Sequence, residues 1–385
     1  MLNFDYYNPT QIVFGQGSIA RLDSLVPADA RVLVLYGGGS AERNGTLAQV
    51  EAALGQRTVQ RFGGIEPNPS YETLMEAVAL IRREKLDFLL AVGGGSVIDG
   101  TKFVAAAVDY PRDPWHILES FGREITRALP FGAVLTLPAT GSEMNNGSVI
   151  SRKSIQAKLP FFSPHVFPRF SVLDPVTTFT LPPRQIANGV VDAFVHVIEQ
   201  YRTYPVYAPL QDRYAEGLLQ TLVEIGPLAL ATPQDYELRA NLMWAATQAL
   251  NGLIGAGVPQ DWATHMIGHE LTVLHGLDHA QTLAVVLPAM LDLRREAKKA
   301  KLLQYAARVW NITEGSDDAR IDAAIARTRA FFEALGVKTR LSGYGIGADS
   351  VPRIVSQLEA HGMTALGERQ DMGLDLSRRV LEASL

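Results

Sequence analysis

Two stretches in the second half of the chain hold residues that could bind a metal ion. Asp192 and His196 are four residues apart, which would place a carboxylate and an imidazole on one face of a helix. Four more histidines follow in one stretch, at His265, His269, His275 and His279. An aspartate and imidazoles from separate helices are suitable donors for zinc or ferrous iron. A hydrogen-bonded Asp–His pair and core histidines would have the same spacing, so both interpretations stay open.

Spacing alone favours His265 and His269 as a ligand pair, because they too are one helical turn apart. Gly276 predicts the end of their helix, with His279 at the start of the next one. The order H-x-x-x-H-E differs from the H-E-x-x-H pattern of zinc proteases, and no G-x-S-x-G pattern of serine hydrolases occurs. Neither hydrolase class is therefore supported.

A glycine triplet follows an apolar, strand-like stretch and precedes a helical pattern. It consists of Gly93, Gly94 and Gly95, with Ser96 directly after it. Glycines let the backbone approach a ligand closely, and the N-terminus of a helix presents free N–H groups to an anion. The loop is therefore a candidate cradle for a dinucleotide diphosphate, although a tight strand-to-helix turn would use the same residues. Ser96 and Asp99 have the spacing of a capping box at the helix start.

Two further loops offer groups to a nucleotide. Gly37, Gly38, Gly39 and Ser40 end an earlier apolar stretch without the acid that NAD-specific sites place at the ribose 2′-hydroxyl, and Arg43 follows closely. This loop favours NADP(H) over NAD(H), unless it is an ordinary turn. The third loop carries three hydroxyls that could bind phosphate or ribose, those of Thr136, Thr140 and Ser142.

The order of the elements predicts the fold class. Short apolar strands alternate with helical patterns in the first half, at 31–36, 87–92 and 133–138. This alternation indicates a parallel sheet with helices on both faces, whereas the chain after residue 183 has almost only helical patterns. We predict a Rossmann-like α/β dinucleotide-binding domain over residues 1–180 and an all-helical metal-binding domain over residues 181–385.

Composition argues against several classes of protein. The 385 residues include 35 Lys and Arg against 40 Asp and Glu, and this net charge of −5 argues against nucleic acid as a partner. Because cysteine is absent, disulfides and thiolate ligands are excluded. We find no secretory signal and no membrane span, so we expect a cytoplasmic protein. Lys298, Lys299 and Lys301 are interpreted as a solvated helix face.

Four segments carry a resemblance to a known family, namely GGGSVIDGTKFVA, LPATGSE, LPPRQIANGVVDAFVH and ATHMIGHELTVLHGLDHAQTLAVVLP. With these motifs in this order, the sequence resembles the iron-containing (group III) alcohol dehydrogenases over essentially its whole length. Within the family it is most similar to the branch of butanol dehydrogenases and NADPH-dependent aldehyde reductases. The resemblance implies a nucleotide-binding α/β domain, a helical metal-binding domain and a cleft between them.

The resemblance also implies which residues form the site. It assigns the metal to Asp192, His196, His265 and His279, and it assigns His269 to the nicotinamide and substrate instead of the metal, which differs from what spacing favours. The family's cofactor positions fall on Gly93, Gly94, Gly95, Ser96 and Asp99 for the diphosphate, and on Gly37, Gly38, Gly39, Ser40 and Lys158 for the 2′-phosphate of NADPH. One departure from the family pattern is the segment 144–146, Met-Asn-Asn, which bears on the shape of the substrate pocket.

The expected activity follows from these implied residues. A zinc or iron ion would polarise the carbonyl oxygen while NADPH supplies a hydride, so short- or medium-chain aldehydes and primary alcohols are the expected substrates. His269 is a candidate proton relay, and the resemblance implies a homodimer. One alternative is an NAD- and metal-dependent lyase of the dehydroquinate synthase type. It would need basic residues for a substrate phosphate, whereas residues 249–258 are apolar or small. The other is a silent nucleotide-binding protein, which would have lost the metal donors.

Overall fold

The structure is a computed structural model that describes every residue from Met1 to Leu385. The chain forms two units. The α/β unit consists of Tyr7–Leu181 and Pro233–Thr247, and the helical unit consists of Met1–Tyr6, Pro182–Thr232 and Gln248–Leu385. One division near residue 180 was predicted, whereas each unit combines separate segments of the chain.

Eight strands belong to the α/β unit. Their bounds are β1 Gln11–Phe14, β2 Arg31–Tyr36, β3 Thr58–Phe62, β4 Phe88–Gly94, β5 Phe131–Leu137, β6 Gly147–Arg152, β7 Ala157–Phe162 and β8 Phe170–Leu173. Six strands form one sheet in the order β1-β8-β5-β4-β2-β3, and each neighbouring pair is parallel. β6 and β7 form a separate antiparallel hairpin. The predicted Rossmann-like parallel sheet is confirmed.

Fifteen α-helices cover or follow these strands. They are α1 Leu22–Leu25, α2 Ser40–Arg43, α3 Thr46–Leu54, α4 Tyr71–Glu84, α5 Gly95–Ala107, α6 His116–Glu119, α7 Pro183–Tyr201, α8 Pro209–Ala231, α9 Tyr236–Ala249, α10 Ala263–His275, α11 His279–Leu293, α12 Arg295–Val309, α13 Asp317–Ala334, α14 Ser350–Ala360 and α15 Leu374–Ala383. Short 3-10 helices occur at Ser18–Arg21, Ser142–Met144, Lys153–Ile155, Pro164–Val166, Pro175–Thr178 and Leu341–Tyr344. The predicted change to helices after residue 183 is confirmed.

Helices pack on both faces of the six-stranded sheet. Successive side chains of a strand point to opposite faces, so the residues of one strand enter two different cores. On β2, Val32 and Val34 belong to a core cluster with side chains of α1 and α3. Leu33 and Leu35 of the same strand belong to a second cluster with side chains of α4 and α5. Because the four central residues of β2, 32–35, alternate between two buried cores, all four are apolar.

Arg239 holds α9 in the α/β unit, although α9 follows the first helices of the helical unit in sequence. The buried guanidinium donates from Nε to Thr178 Oγ1 at 2.8 Å and from Nη2 to the Thr178 carbonyl at 2.7 Å. A buried cation needs such acceptors, so this pair accounts for the return of segment 233–247 to the α/β unit.

The helical unit is built around α7, in which every residue from Ile186 to Tyr201 is buried. A helix that is surrounded on all sides forms the centre of its domain, so polar side chains on α7 lie in the interior. On α12, Lys298 and Lys301 are also buried, at 2% and 5% exposure. The interpretation of this basic group as a solvated helix face is therefore wrong for two of its three lysines. No helix has the length and apolar composition needed to cross a membrane.

Candidate metal centre and cofactor loops

Four predicted metal donors come together inside the helical unit. Asp192 and His196 lie on α7, His265 lies on α10, and His279 is the first residue of α11. One donor atom from each residue lies within 4.8 Å of the donor atoms of the other three. Asp192 Oδ1 is 3.7 Å from Nε2 of both His196 and His279. Three of the residues are buried and His279 is partly exposed.

The helix ends fix these donors in place. α10 ends at Gly276, whose φ of 68° is the left-handed conformation that glycine adopts without strain, as the sequence predicts. α11 then begins at His279 with a capping box between Asp278 and Gln281. Because His279 is at the first position of α11, this cap controls where its imidazole lies.

His269 is outside the four-residue cluster but lies beside it. The ring is buried, and its centroid is 5.5 Å from that of His279. Spacing favoured His265 and His269 as one ligand pair, whereas the structure groups His265 with donors on α7 and α11. Helical spacing identifies neighbours on one helix, but it does not identify the other helices that pack against them.

Glu199 contacts the cluster and was missed by the sequence analysis. Its carboxylate lies against Nδ1 of His265 and accepts the backbone N–H of Thr264 at 2.9 Å. Burial raises the pKa of Glu199, and the nearby Asp261 carboxylate raises it further. The signal was available in the sequence, since Glu199 is seven residues after Asp192 and therefore on the same helix face.

The three candidate nucleotide loops lie at one edge of the sheet in the α/β unit. β2 pairs with β4, and β4 pairs with β5, in each case in parallel, so their carboxyl ends face the same way. Residues 37–40 follow β2, residues 93–96 span the end of β4 and the start of α5, and residues 138–142 follow β5. Ligands of open α/β sheets bind at this edge, so the arrangement suits a nucleotide.

The glycine triplet is required by the fold itself. A Cβ on Gly93 would lie 2.5 Å from a Val97 methyl, and one on Gly95 would lie 2.4 Å from Thr140 Oγ1. These contacts explain the glycines as a close strand-to-helix turn, and they leave the backbone of the loop free to meet an anion as well. The predicted capping box is wrong, because α5 already begins at Gly95 and Ser96 Oγ instead accepts the N–H of Asn68 at 3.2 Å.

Asp99 is half-buried behind this loop and holds the chain that follows β5. Its carboxylate accepts from Ser142 Oγ at 2.5 Å and from the N–H of Val149 at 2.9 Å. Burial raises its pKa, while Lys102 and these hydrogen bonds oppose the rise. Of the predicted cofactor residues, Asp99 and Ser142 thus bind each other, and Thr140 Oγ1 accepts the N–H of Ser142 at 3.2 Å.

Lys102 is a fully buried charge in this region, and no sequence pattern predicted it. Its Nζ donates to Asn145 Oδ1 at 2.8 Å and to the carbonyl of Gly147 at 2.7 Å. Burial lowers its pKa to about 8, and the carboxylates of Asp99 and Glu143 oppose this shift. The Met-Asn-Asn segment that departs from the family pattern is therefore held by a lysine one helical turn after Asp99.

The loop after β2 differs from the glycine triplet, because Gly38 faces open space. A Cβ at Gly38 would meet no atom within 4 Å, and Arg43 Nη1 lies 3.5 Å from its carbonyl oxygen. The loop thus has room for an added group at Gly38, beside a guanidinium.

Two further predicted cofactor residues lie on other strands. Lys158, on β7, is buried and donates to Asn68 Oδ1 at 2.8 Å. Thr136 is the second-last residue of β5 and is 9% exposed.

Two family models cover most of the chain. The model of iron-containing alcohol dehydrogenase matches residues 9–175, and the C-terminal model of the Fe-containing alcohol dehydrogenase family matches residues 186–367. The chain belongs to the iron-containing alcohol dehydrogenase family. The resemblance inferred from the four sequence motifs is confirmed, and the two matched regions include most of each unit.

Individual family members are similar over the full length. The chain is 66% identical to the NADPH-dependent aldehyde reductase YqhD of Escherichia coli, covering 100% of both chains. It is 41% identical to a probable NADH-dependent butanol dehydrogenase of Bacillus subtilis, again covering 100% of both. The solved structure of the substrate- and cofactor-free aldehyde reductase YqhD from E. coli matches with a TM-score of 0.93 and 64% identity, covering 100% of both chains. NADH-dependent butanol dehydrogenase A from Thermotoga maritima matches with a TM-score of 0.95 and 33% identity, covering 100% and 99%.

Proposed function

We propose that this protein is a metal-dependent oxidoreductase that transfers a hydride from NADPH to short- or medium-chain aldehydes, and in the reverse direction oxidises primary alcohols. The observation that carries the proposal is the buried cluster of one carboxylate and three imidazoles in a chain 66% identical to an NADPH-dependent aldehyde reductase. The mixed oxygen and nitrogen donors fit zinc and ferrous iron equally well.

The four donors suit a catalytic ion because of their charge. Three neutral imidazoles and one carboxylate would leave a divalent ion with net positive charge, so the site attracts an electron-rich oxygen. A divalent ion held there supplies Lewis-acid polarisation of the aldehyde oxygen. His279 is the partly exposed donor, and the substrate is proposed to approach the ion from its side. His269 lies next to His279 and is the proposed proton donor to the product oxygen.

One aromatic ring beside a donor and the composition of one segment support an aliphatic substrate without a phosphate group. The Trp262 ring is partly exposed and lies edge-on to His265, with ring centroids 5.1 Å apart. The stretch 249–258 contains no lysine or arginine, so it offers no cation to a substrate phosphate. A lyase of the dehydroquinate synthase type needs such cations, and a silent protein would not need the four donors, so both alternatives are less well supported.

Cofactor selectivity is proposed to depend on the loop of residues 37–40. A 2′-phosphate adds a dianionic group, which Gly38 leaves room for and the Arg43 guanidinium would attract. Gly93, Gly94, Gly95 and Ser96 are proposed to bind the diphosphate at the start of α5. The homodimer and the cytoplasmic location expected from the sequence remain predictions, to be checked by light scattering and by cell fractionation.

One assay tests the proposed function. The protein is incubated with NADPH or NADH and a series of aldehydes from acetaldehyde to hexanal, and absorbance is followed at 340 nm. We expect turnover with NADPH that is lost on chelation and restored by zinc or ferrous ion. Turnover that survives complete metal removal would overturn the metal-dependent mechanism, and failure to reduce every aldehyde would overturn the substrate class.

A further inference from the structure

Glu199 joins α7 to the beginning of α10 through a single carboxylate. Oε1 accepts the N–H of Thr264 at 2.9 Å, and Oε2 accepts the N–H of His265 at 3.2 Å. Oε2 also lies within hydrogen-bond distance of Nδ1 of His265. The Glu199 side chain has no exposed surface. This carboxylate therefore contacts both the backbone and the ring of a residue in the metal cluster.

The contact determines which nitrogen of His265 is available to a metal. A carboxylate accepts hydrogen bonds, so the nitrogen facing it carries the hydrogen in a neutral imidazole. With the hydrogen on Nδ1, the lone pair is on Nε2, which lies on the opposite side of the ring. A histidine that donates one N–H to a carboxylate and ligates through the other nitrogen is a recurrent arrangement in metalloproteins.

Buried charges around Glu199 keep its carboxylate in position. Asp261 donates its backbone N–H to the Glu199 carbonyl at 2.8 Å, and its Oδ1 accepts the N–H of Ala263 at 3.0 Å. Arg202 and Lys298 lie 3.3 and 3.2 Å from Asp261 Oδ2, and all three side chains are at most 2% exposed. These two cations offset the repulsion between neighbouring acids, which also face the positive end of α10.

We propose that Glu199 is a positioning residue of the metal centre. It holds His265 in the tautomer and orientation that direct Nε2 toward Asp192, His196 and His279. The inference rests on the metal-dependent function proposed above and adds to it a residue outside the four donors. A purely structural role, in which Glu199 only caps α10, is the alternative that the experiment has to separate.

The test compares Glu199→Gln with wild type and with Glu216→Gln. Glutamine keeps the size of the side chain but replaces one acceptor oxygen with an N–H₂ group. The N–H of Thr264 and the backbone and ring N–H groups of His265 can then no longer all find an acceptor. Glu216 on α8 is also buried and accepts from Tyr201 and Gln304, which makes it a matched control away from the cluster. Zinc affinity of each metal-free protein is measured by competition with a chromophoric chelator, and thermal unfolding is followed without metal.

We expect Glu199→Gln to raise the zinc Kd by about 10- to 100-fold, while Glu216→Gln keeps the wild-type Kd. Equal Kd values in Glu199→Gln and wild type, or the same increase in both variants, would overturn the inference. If wild type itself binds neither zinc nor ferrous iron, the proposed function fails instead, so the two failures are distinct.

A measurement on wild type applies if Glu199→Gln does not fold. In the zinc-loaded protein labelled with ¹⁵N-histidine, NMR should show a ligating imidazole whose Nδ1–H proton is shifted strongly downfield by its carboxylate acceptor. Spectra in which no ligating ring has this shifted Nδ1–H would overturn the inference without any substitution.

Discussion

Asn188 on α7 donates from Nδ2 to Asp278 Oδ2 at 2.8 Å, across 90 residues of sequence. Asn188 is one turn before Asp192, and Asp278 is the residue directly before His279. The bond therefore ties the helix that carries two metal donors to the cap of the helix that carries a third. It explains how two distant motifs keep a fixed separation between their donor atoms.

Replacing Asn188 with alanine is expected to weaken metal binding without abolishing it. The net contribution of one such hydrogen bond is about 0.5–1.5 kcal/mol, so the zinc Kd should increase by roughly 2- to 13-fold. Chelator competition measures this change. Asn241→Ala is the control, since Asn241 is exposed on α9 and donates to the carbonyl of Glu237. A wild-type Kd for Asn188→Ala would mean that the bond does not position His279.

Loss of a proposed donor should have a much larger effect. His265→Ala and His279→Ala should each retain far less than one equivalent of metal and lose aldehyde reduction, because only three donors remain. NADPH binding, followed by its fluorescence, should be unchanged. Metal content is measured by mass spectrometry after dialysis. His165→Ala, a change at an exposed histidine of the α/β unit, should keep the metal.

His269→Ala should separate the two interpretations of the histidine stretch. As a proton donor beside the cluster, His269 would affect turnover and the pH profile but not metal retention. We therefore expect near-stoichiometric metal with a kcat lowered by about 10²- to 10⁴-fold, the usual contribution of general acid catalysis. Loss of the metal on this substitution would show that the pair at 265 and 269 supplies the ligands.

Gly38→Asp should reduce the preference for NADPH. The structure has room for the side chain, since a Cβ at Gly38 meets no atom within 4 Å. A carboxylate next to a 2′-phosphate at a partly exposed site costs about 1–3 kcal/mol, which corresponds to roughly a 5- to 150-fold change in selectivity. The ratio of kcat/KM for NADPH to that for NADH measures it. An unchanged ratio would contradict the role of this loop.

Lys158→Ala tests whether this lysine contacts the 2′-phosphate. A direct contact predicts a larger rise in KM for NADPH than for NADH, because only NADPH carries the added phosphate. The bond from Lys158 to Asn68 offers another explanation, in which the lysine supports the segment next to Ser96. In that case KM for both cofactors should rise by the same factor.

Lys102 predicts a pH dependence of stability. Its pKa is lowered to about 8 by burial, whereas the unfolded chain keeps the ordinary value of 10.5. Unfolding therefore takes up a proton between these values, so the stability that Lys102 contributes rises with pH from about 8 to 10.5 and is constant below pH 8. The urea midpoint of wild type minus that of Lys102→Met should therefore become more positive from pH 8 to 10. Lys153→Met, at an exposed lysine, should show a constant difference.

Local pattern was enough to predict much of this protein. The strand β2 matches the predicted range 31–36, and the predicted end of α10 at Gly276 and start of α11 at His279 are both observed. These features depend on residues close in sequence: a short apolar run, a glycine that adopts positive φ, and a cap. The family and the class of activity followed from motifs that are contiguous in the chain.

Tertiary packing decided what local pattern left open. Spacing within one helix favoured His265 with His269, but the cluster takes His265 together with donors from α7 and α11, and Glu199 reaches His265 from α7. Lysine is usually a surface residue, but Lys298 is buried against Asp261. In each case the partner is distant in sequence. The free energy of burying a polar or charged side chain depends on that partner, and the residue pattern of one helix does not identify it.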